Sequence, residues 1–262
     1  MADRQAKAAE ALLQQSRTTH AWLRELSAAD FAAPSVLPGW DVRMLVAHLV
    51  LVHAGFVRIL GRPSPAAPLP AAELVRRYRR DVDMIAASTA QAAGSRSGAE
   101  LADRLGAAIE DLAATLTGSL PSVVDSPRGP VALPDLIDTR VVEVVVHSDD
   151  LSRSRPERTP IQLIGPAVAV CTRTLAGILA GQQPGRSIEV RIPPYAAVQC
   201  GLPGDPGPTH TRGTPPNVVE TDPVTFLRLA TGRVDWAGAR TSGRVRASGQ
   251  RADLSPVLPL LS

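Results

Sequence analysis

Aromatic residues and cysteines are scarce in this 262-residue chain. Aromatics make up 3% of the residues, which suggests neither the stacking platforms of single-strand nucleic-acid binders nor a large aromatic ligand cage. The two cysteines, Cys171 and Cys200, stand outside any C-x-x-C or metal-type spacing. We therefore expect both to be plain core residues without redox or metal chemistry.

Lysine is almost absent. Lys7 is the single lysine among 28 basic residues, and the formal net charge is only +3. Because no dense basic tract is present, the sequence does not predict nucleic-acid binding. The excess of arginine over lysine is typical of the codon bias of a GC-rich genome.

Long hydrophobic runs are missing as well. The longest apolar stretch, residues 44–57, is too short to cross a bilayer and carries two histidines, so it predicts a buried helix. The first ten residues are polar and lack the apolar core of a signal peptide. We therefore expect a cytoplasmic protein without a membrane span.

The sequence is rich in helical patterns up to about residue 155. An apolar content of 44% over this length can bury a substantial core, and we expect two domains. Apolar residues recur near a 3.6-residue period, and Asp41 stands where a helix N-cap belongs. These patterns predict helices over residues 4–27, from Asp41 to about Leu60, and over 71–93 and 98–116.

Residues 133–153 are ambiguous because five valines between Val141 and Val146 would favour a strand. Against a strand, Pro134 and Asp135 suit the first turn of a helix, and no turn signal follows for about fifteen residues. We predict a helix. The distinction matters because Glu143 and His147 would lie about 6 Å apart on one helical face, but roughly 13 Å apart in a strand.

After about Arg155 the pattern changes, with prolines at 156 and 160 forming a linker. An apolar helix over 164–179 follows, and then alternating segments and turn residues return in order. The predictions are strands over 187–192, 197–200, 217–220 and 243–249, a helix from Pro223 to Leu229, and a closing helix over 250–261.

His48, Glu143 and His147 form a candidate metal site. On a helix, Glu143 and His147 share one face, and one imidazole from a neighbouring helix completes two histidines and one carboxylate. Three protein ligands are typical of catalytic zinc sites, which keep a fourth position for water or substrate. Burying Glu143 among valines is unfavourable unless the carboxylate is paired. A buried ion pair between Glu143 and Arg140 is therefore an equally good alternative to a metal site, and the residues alone do not decide between the two.

Other histidines and acids near this candidate site are interpreted more simply. Asp150, three residues after His147, is well placed to accept the second ring N–H of a metal-bound histidine. Asp149 is expected to be a surface charge at the helix end. His53 lies about 140° around the helix from His48, so both cannot face one ion. His20 and His210 are expected at the surface or in loops.

Arginines offer a second, weaker set of candidates. The run at residues 76–80 predicts the solvated face of a helix, with anion binding as the alternative. Arg244 and Arg246, on a short predicted strand, are candidate catalytic or substrate-binding residues. No spacing singles out one of them.

Two phrases resemble the mycothiol-dependent maleylpyruvate isomerase family. They are Leu37-Pro-Gly-Trp40-x-Val-Arg43 with the following Leu-Val-Ala-His48, and Arg140-Val-Val-Glu143-x-x-x-His147-x-x-Asp150. The resemblance covers about residues 5–155 and implies a DinB-like helical bundle. It also implies that His48, Glu143 and His147 are the ligands of a divalent metal, usually zinc, with the thiol of mycothiol at the open position. The arginine-rich composition agrees with an actinobacterial source, where mycothiol is made.

The last third of the chain resembles a bacterial sterol-carrier-protein-2-like domain. The resemblance rests on residues 216–232, Trp236 and Gly243-Arg-Val-Arg-Ala-Ser-Gly249. It implies a small α+β module that encloses an apolar ligand in other proteins. The expected fold class is therefore α+β with two domains: a DinB-like metal-binding bundle over residues 1–155 and an SCP2-like domain over residues 156–262.

Two functions follow from these resemblances. The leading hypothesis is a zinc-dependent, mycothiol-using isomerase or S-transferase that acts on a small electrophile, with a thiol or small-molecule partner and no nucleic acid. The alternative is a non-enzymatic carrier of lipid or another small molecule, stiffened by a metal in its helical bundle. In that case Val218, Phe226, Leu229 and Trp236 are candidates to line the pocket.

Overall fold

The structure, a computed structural model, describes residues 2–204 and 217–261. The helices are α1 (Ala2–Leu23), α2 (Ala28–Ala32), α3 (Val42–Leu60), α4 (Ala71–Tyr78), α5 (Val82–Ala93), α6 (Gly98–Leu116), α7 (Leu133–Ser154), α8 (Gly165–Gln182), α9 (Pro223–Ala230) and α10 (Trp236–Thr241). The strands are β1 (Val123–Ser126), β2 (Gly129–Ala132), β3 (Ile188–Ile192), β4 (Ala196–Cys200), β5 (Val218–Thr221) and β6 (Val245–Ser248).

Contacts divide the chain into two compact units. The first contains Met1–Leu69 with Arg80–Ala167, and the second contains Pro70–Arg79 with Val168–Ser262. These units differ from the ranges 1–155 and 156–262, which remain a prediction about domains. A helical bundle followed by a small α+β unit confirms the predicted fold class.

The first unit is built around α3, which contacts α5, α6 and α7, while α1 packs on α6 and α7. Local sequence explains where these helices begin. Asp41 caps α3 by accepting a hydrogen bond of 2.7 Å from the Met44 N–H, and Ser97 with Glu100 forms a capping box at α6. Helices α3 and α6 therefore begin at N-caps that can be recognised in the sequence.

Helix α3 is long and apolar enough to cross a membrane by length and composition alone. A buried core helix passes the same test, and much of α3 is buried against its neighbours. The buried residues are Val42, Leu45, Val46, Ala47, Leu49, Val52, His53, Phe56 and Leu60. This agrees with the buried helix predicted for the apolar stretch.

The second unit contains a four-stranded sheet in the order β4-β3-β5-β6. Strand β3 pairs antiparallel with β4 and parallel with β5, and β5 pairs antiparallel with β6. Ile188, Val190 and Ile192 are fully buried, and the alternating Glu189 and Arg191 lie on the opposite face because successive side chains of a strand point to opposite faces.

Two predicted helices differ from the structure. The helix expected over 71–93 is interrupted by a short 3-10 turn at Arg79–Asp81, which separates α4 from α5. The closing helix predicted over 250–261 is wrong, since the described residues there form turns. Pro256 and Pro259 lack the N–H groups that a helix interior needs.

Candidate metal centre

Helices α3 and α7 bring the predicted metal ligands together within the first unit. His48 projects from α3, while Glu143 and His147 project from α7, one turn apart on the same face. One ligand atom from each of the three residues lies within 4.8 Å of the other two. The helix predicted for the valine-rich segment is therefore confirmed, and it places these side chains as its spacing requires.

A single carboxylate oxygen is the focus of the cluster. Glu143 Oε2 lies 3.4 Å from His147 Nε2 and 3.7 Å from His48 Nε2. Ligand atoms around a tetrahedral zinc lie about 3.3–3.6 Å apart, given bonds of about 2.0–2.2 Å. The two distances to Glu143 Oε2 are close to that spacing, and all three ligand atoms lie within 4.8 Å of one another, so that two imidazole nitrogens and one carboxylate oxygen suit a zinc-sized cation in chemistry and approach its spacing.

His147 is oriented by Asp150. Its Nδ1 lies 3.0 Å from Asp150 Oδ2, and the Asp150 side chain has no exposed surface. With Nδ1 donating to this carboxylate, Nε2 is left facing Glu143. Such carboxylate–histidine pairs fix the tautomer and ring orientation of metal-binding histidines.

His48 has a different environment. Its Nδ1 is buried and has no hydrogen-bond partner among the described residues. Its ring instead forms edge-type contacts with Trp40, with ring centroids 5.6 Å apart, and with His147, with centroids 4.8 Å apart. On the Nδ1 side, therefore, ring packing and not a carboxylate orients this imidazole.

Arg140 reaches the same glutamate from the other side. One terminal guanidinium nitrogen lies 3.8 Å from Glu143 Oε1, the carboxylate oxygen nearer to it, while Oε2 faces the two histidines. The sequence set an Arg140 ion pair against a metal as alternatives. In the structure the two alternatives are compatible, because Oε1 of Glu143 can pair with Arg140 while Oε2 binds a metal.

The charges of the cluster follow from burial and hydrogen bonding. Burial opposes the charge on Glu143, but His147, His48 and Arg140 hold the pKa of its carboxyl well below the ordinary value. Burial lowers the pKa of His48. Burial also opposes the charge on His147, but Asp150 and Glu143 raise the pKa of that imidazole to about 9. Glu143 is therefore an anionic ligand across the neutral pH range.

Buried polar contacts fix α7 against α1 beside the cluster. Ser148, the residue after His147, lies with its Oγ 2.7 Å from Thr19 Oγ1, and Gln15 donates to the same hydroxyl at 3.3 Å. All three side chains are buried. This packing determines which face of α7 meets α3.

Other histidines and acids mostly lie away from the cluster's ligand atoms. His53 is buried and bonded to Ser16 and Leu49. The prediction for Asp149 is wrong, because it is 5% exposed on a helix buried nearly all round. His20 is half-buried, and His210 lies outside the described residues.

The candidate arginines lie in the second unit, except Arg80, which belongs to the first. Arg244 precedes β6 and Arg246 lies on it, and both are exposed. Their proposed role in substrate binding remains a prediction. Arg76 and Arg77 in α4 bond to the Gln182 carbonyl and to Glu73.

A surface cavity of about 430 Å³ in the second unit was not anticipated. Its lining includes Arg191, Tyr195 and Glu220. In the sequence, the only signal for this cavity was the alternation in β3, which places Arg191 on the face of the sheet away from the core. None of the residues suggested for an apolar carrier pocket lines this cavity, and Phe226 and Leu229 are buried in the core.

Comparison with solved structures shows a shared fold. A crystal structure of the mycothiol-dependent maleylpyruvate isomerase matches with a TM-score of 0.59 and 16% identity, covering 96% of this chain and 95% of that one. A histidine-to-alanine mutant of that enzyme matches with a TM-score of 0.60 and 17% identity, with the same coverage. A search among proteins of curated function found no match.

Two known sequence families match the N-terminal and the C-terminal part of the chain. The family described as bacterial SCP ortholog matches residues 166–260. The mycothiol maleylpyruvate isomerase N-terminal domain matches residues 12–152, which is 141 of the 262 residues. The chain therefore belongs to the mycothiol maleylpyruvate isomerase N-terminal domain family.

Proposed function

We propose that the protein is a mycothiol-using isomerase or S-transferase that acts on a small electrophile, with zinc held by His48, Glu143 and His147. The observation that carries the proposal is the convergence of two Nε2 atoms on Glu143 Oε2, at 3.4 and 3.7 Å. Membership of a family named for such an isomerase supports the reaction class. We include a cytoplasmic location in the proposal, and the burial of α3 in its unit argues against a membrane span.

Each residue has a distinct task. Glu143 supplies the negative charge that attracts a cation, and its low pKa keeps that charge at neutral pH. Asp150 holds His147 with Nε2 turned toward Glu143, and Trp40 packs against the His48 ring. When bound, zinc would supply Lewis acidity that favours the thiolate form of a thiol at its open position.

The thiolate is the nucleophile of the proposed reaction. Its addition to an electrophilic carbon–carbon double bond leaves a single bond, about which the substrate can rotate. Expulsion of the thiolate then restores the double bond in the other geometry, so that the thiol is regenerated and no redox partner is needed. In the S-transferase variant, the thiol remains on the product.

A carrier function has weaker support. Phe226 and Leu229, two of the residues suggested for a lipid pocket, are 1% and 3% exposed and pack in the core of the second unit. The cavity in that unit is lined by charged as well as apolar residues. We therefore propose the enzyme as the better account.

The test is turnover of maleylpyruvate by the purified full chain with mycothiol, before and after the metal is removed by a chelator. We expect activity that needs the thiol, disappears with the metal and returns with zinc. His147→Ala should be inactive, whereas His20→Gln, a histidine change away from the cluster, should retain activity. Turnover without thiol, or at full rate after chelation, would argue against the proposal.

A further inference from the structure

Arg140 raises a physical question about the candidate metal centre. It is 9% exposed on α7, and a guanidinium remains charged at every physiological pH. A fixed cation beside a site for a divalent cation repels the ion and weakens its binding. An effect of Arg140 on the ligands themselves would offset this repulsion.

The two oxygens of Glu143 indicate that effect. Oε2 faces His48 and His147, and Oε1 has Arg140 at 3.8 Å, a distance of an ion pair rather than of a hydrogen bond. Because Arg140 precedes Glu143 by three residues on the same helix, α7 itself fixes this relationship. The carboxylate therefore has one oxygen directed to each side.

We propose that Arg140 is a positioning residue that holds Glu143 as a one-oxygen ligand. An ion pair at Oε1 opposes rotation of the carboxylate into a two-oxygen binding mode. A second carboxylate oxygen would occupy the coordination position that a thiol needs. This inference rests on the proposed metal function and adds the reason why the fourth position stays open.

Two variants separate positioning from repulsion. Arg140→Gln removes the charge, so that simple repulsion predicts tighter zinc binding with unchanged coordination, whereas lost positioning predicts a second Glu143 oxygen at the zinc. Arg140→Lys keeps a charge but replaces the guanidinium with an ammonium group on a shorter side chain, so that repulsion predicts unchanged coordination and lost positioning predicts the second oxygen. Arg4→Gln is the matched control. Arg4, on α1, pairs at 2.8 Å with Asp138, a carboxylate of α7 that lies outside the cluster.

The experiment measures zinc affinity by chelator competition and zinc coordination by X-ray absorption on the full chain. We expect both Arg140 variants to show one more oxygen neighbour around zinc than the wild type and Arg4→Gln. Unchanged zinc coordination in both variants, at any affinity, would overturn the role of Arg140. If Arg140→Gln does not fold, Arg140→Lys gives the same comparison. A wild-type chain that binds no zinc would instead refute the metal function itself.

Discussion

Asp150 Oδ2 lies 3.0 Å from His147 Nδ1, in a position without solvent exposure. We predict that Asp150→Asn lowers zinc affinity by about 10- to 100-fold, because the neutral amide orients and polarises the imidazole less well. Chelator competition measures the change. Asp138→Asn, which alters a buried carboxylate of the same helix that pairs with Arg4, should bind zinc like the wild type. Equal losses in both variants would show a general effect on α7 rather than a role for Asp150.

A buried acid outside the metal cluster should be important for stability. Asp30 accepts hydrogen bonds from Arg155 and Arg158 at 2.5 and 2.6 Å, and it caps α2 with Ser27. We predict that Asp30→Asn lowers the free energy of unfolding by about 3 kcal/mol, because Arg158 loses its pair with Asp30 and Arg155 keeps only its pair with the exposed Glu157. Denaturant unfolding measures this.

The control for this prediction is Asp3→Asn, which breaks an exposed ion pair with Lys7. Its free energy of unfolding should change by less than about 0.5 kcal/mol. Similar losses in the two variants would contradict the importance of burial at Asp30.

His53 should make stability depend on pH. Its Nδ1–H donates to the Leu49 carbonyl, and its Nε2 accepts from Ser16, each at 2.8 Å. Burial, aided by Arg140 and opposed by the Leu49 hydrogen bond, lowers the pKa of this imidazole to about 4.

The unfolded state binds a proton at His53 below about pH 6.5, whereas the folded state resists it until about pH 4. Stability from this group is therefore complete above pH 6.5 and decreases as the pH falls toward 4, by up to about 3 kcal/mol. His53→Gln should have a flatter pH profile of unfolding free energy in that window. Parallel profiles for the two proteins would show that His53 contributes no such dependence.

Alanine substitutions at two helical glycines should change the free energy of unfolding in opposite directions. A Cβ at Gly98, in the first turn of α6, would lie 2.0 Å from Phe31 Cγ, whereas a Cβ at the exposed Gly177 in α8 meets nothing within 4 Å. We predict a loss of about 1–3 kcal/mol for Gly98→Ala from overpacking. Gly177→Ala should gain about 0.5–1 kcal/mol from helix propensity. Thermal unfolding measures the sign of the stability change in each variant. A stabilised Gly98→Ala would contradict the described packing of Phe31.

Local signals predicted the helices that carry the site. The Asp41 cap, the Ser97 capping box and the helical period mark α3 and α6, and Pro134 with the unbroken run after it marks α7. The spacing from Glu143 to His147 was therefore available from sequence. The approach of His48 to α7 is a long-range contact, which no local period specifies, so the residues alone offered it as one of two alternatives and the family resemblance favoured it.

The errors have physical causes as well. Asp149 was expected at the surface because it is charged and near a helix end, but α7 is packed nearly all round and buries it. The hairpin of β1 and β2 has strands of only four residues, too short for alternation to distinguish them from a loop. In residues 250–261, apolar content suggested a helix, while the prolines in the same segment prevent one.

Anomalous diffraction from crystals of the zinc-loaded full chain, collected on both sides of the zinc absorption edge, tests the central claim most directly. We predict one strong zinc peak about 2.0–2.2 Å from the Nε2 atoms of His48 and His147 and from Glu143 Oε2. The peak should disappear in crystals of Glu143→Gln prepared in the same way. A peak bound by other residues, or no peak among these three side chains, would contradict the assignment of the metal centre.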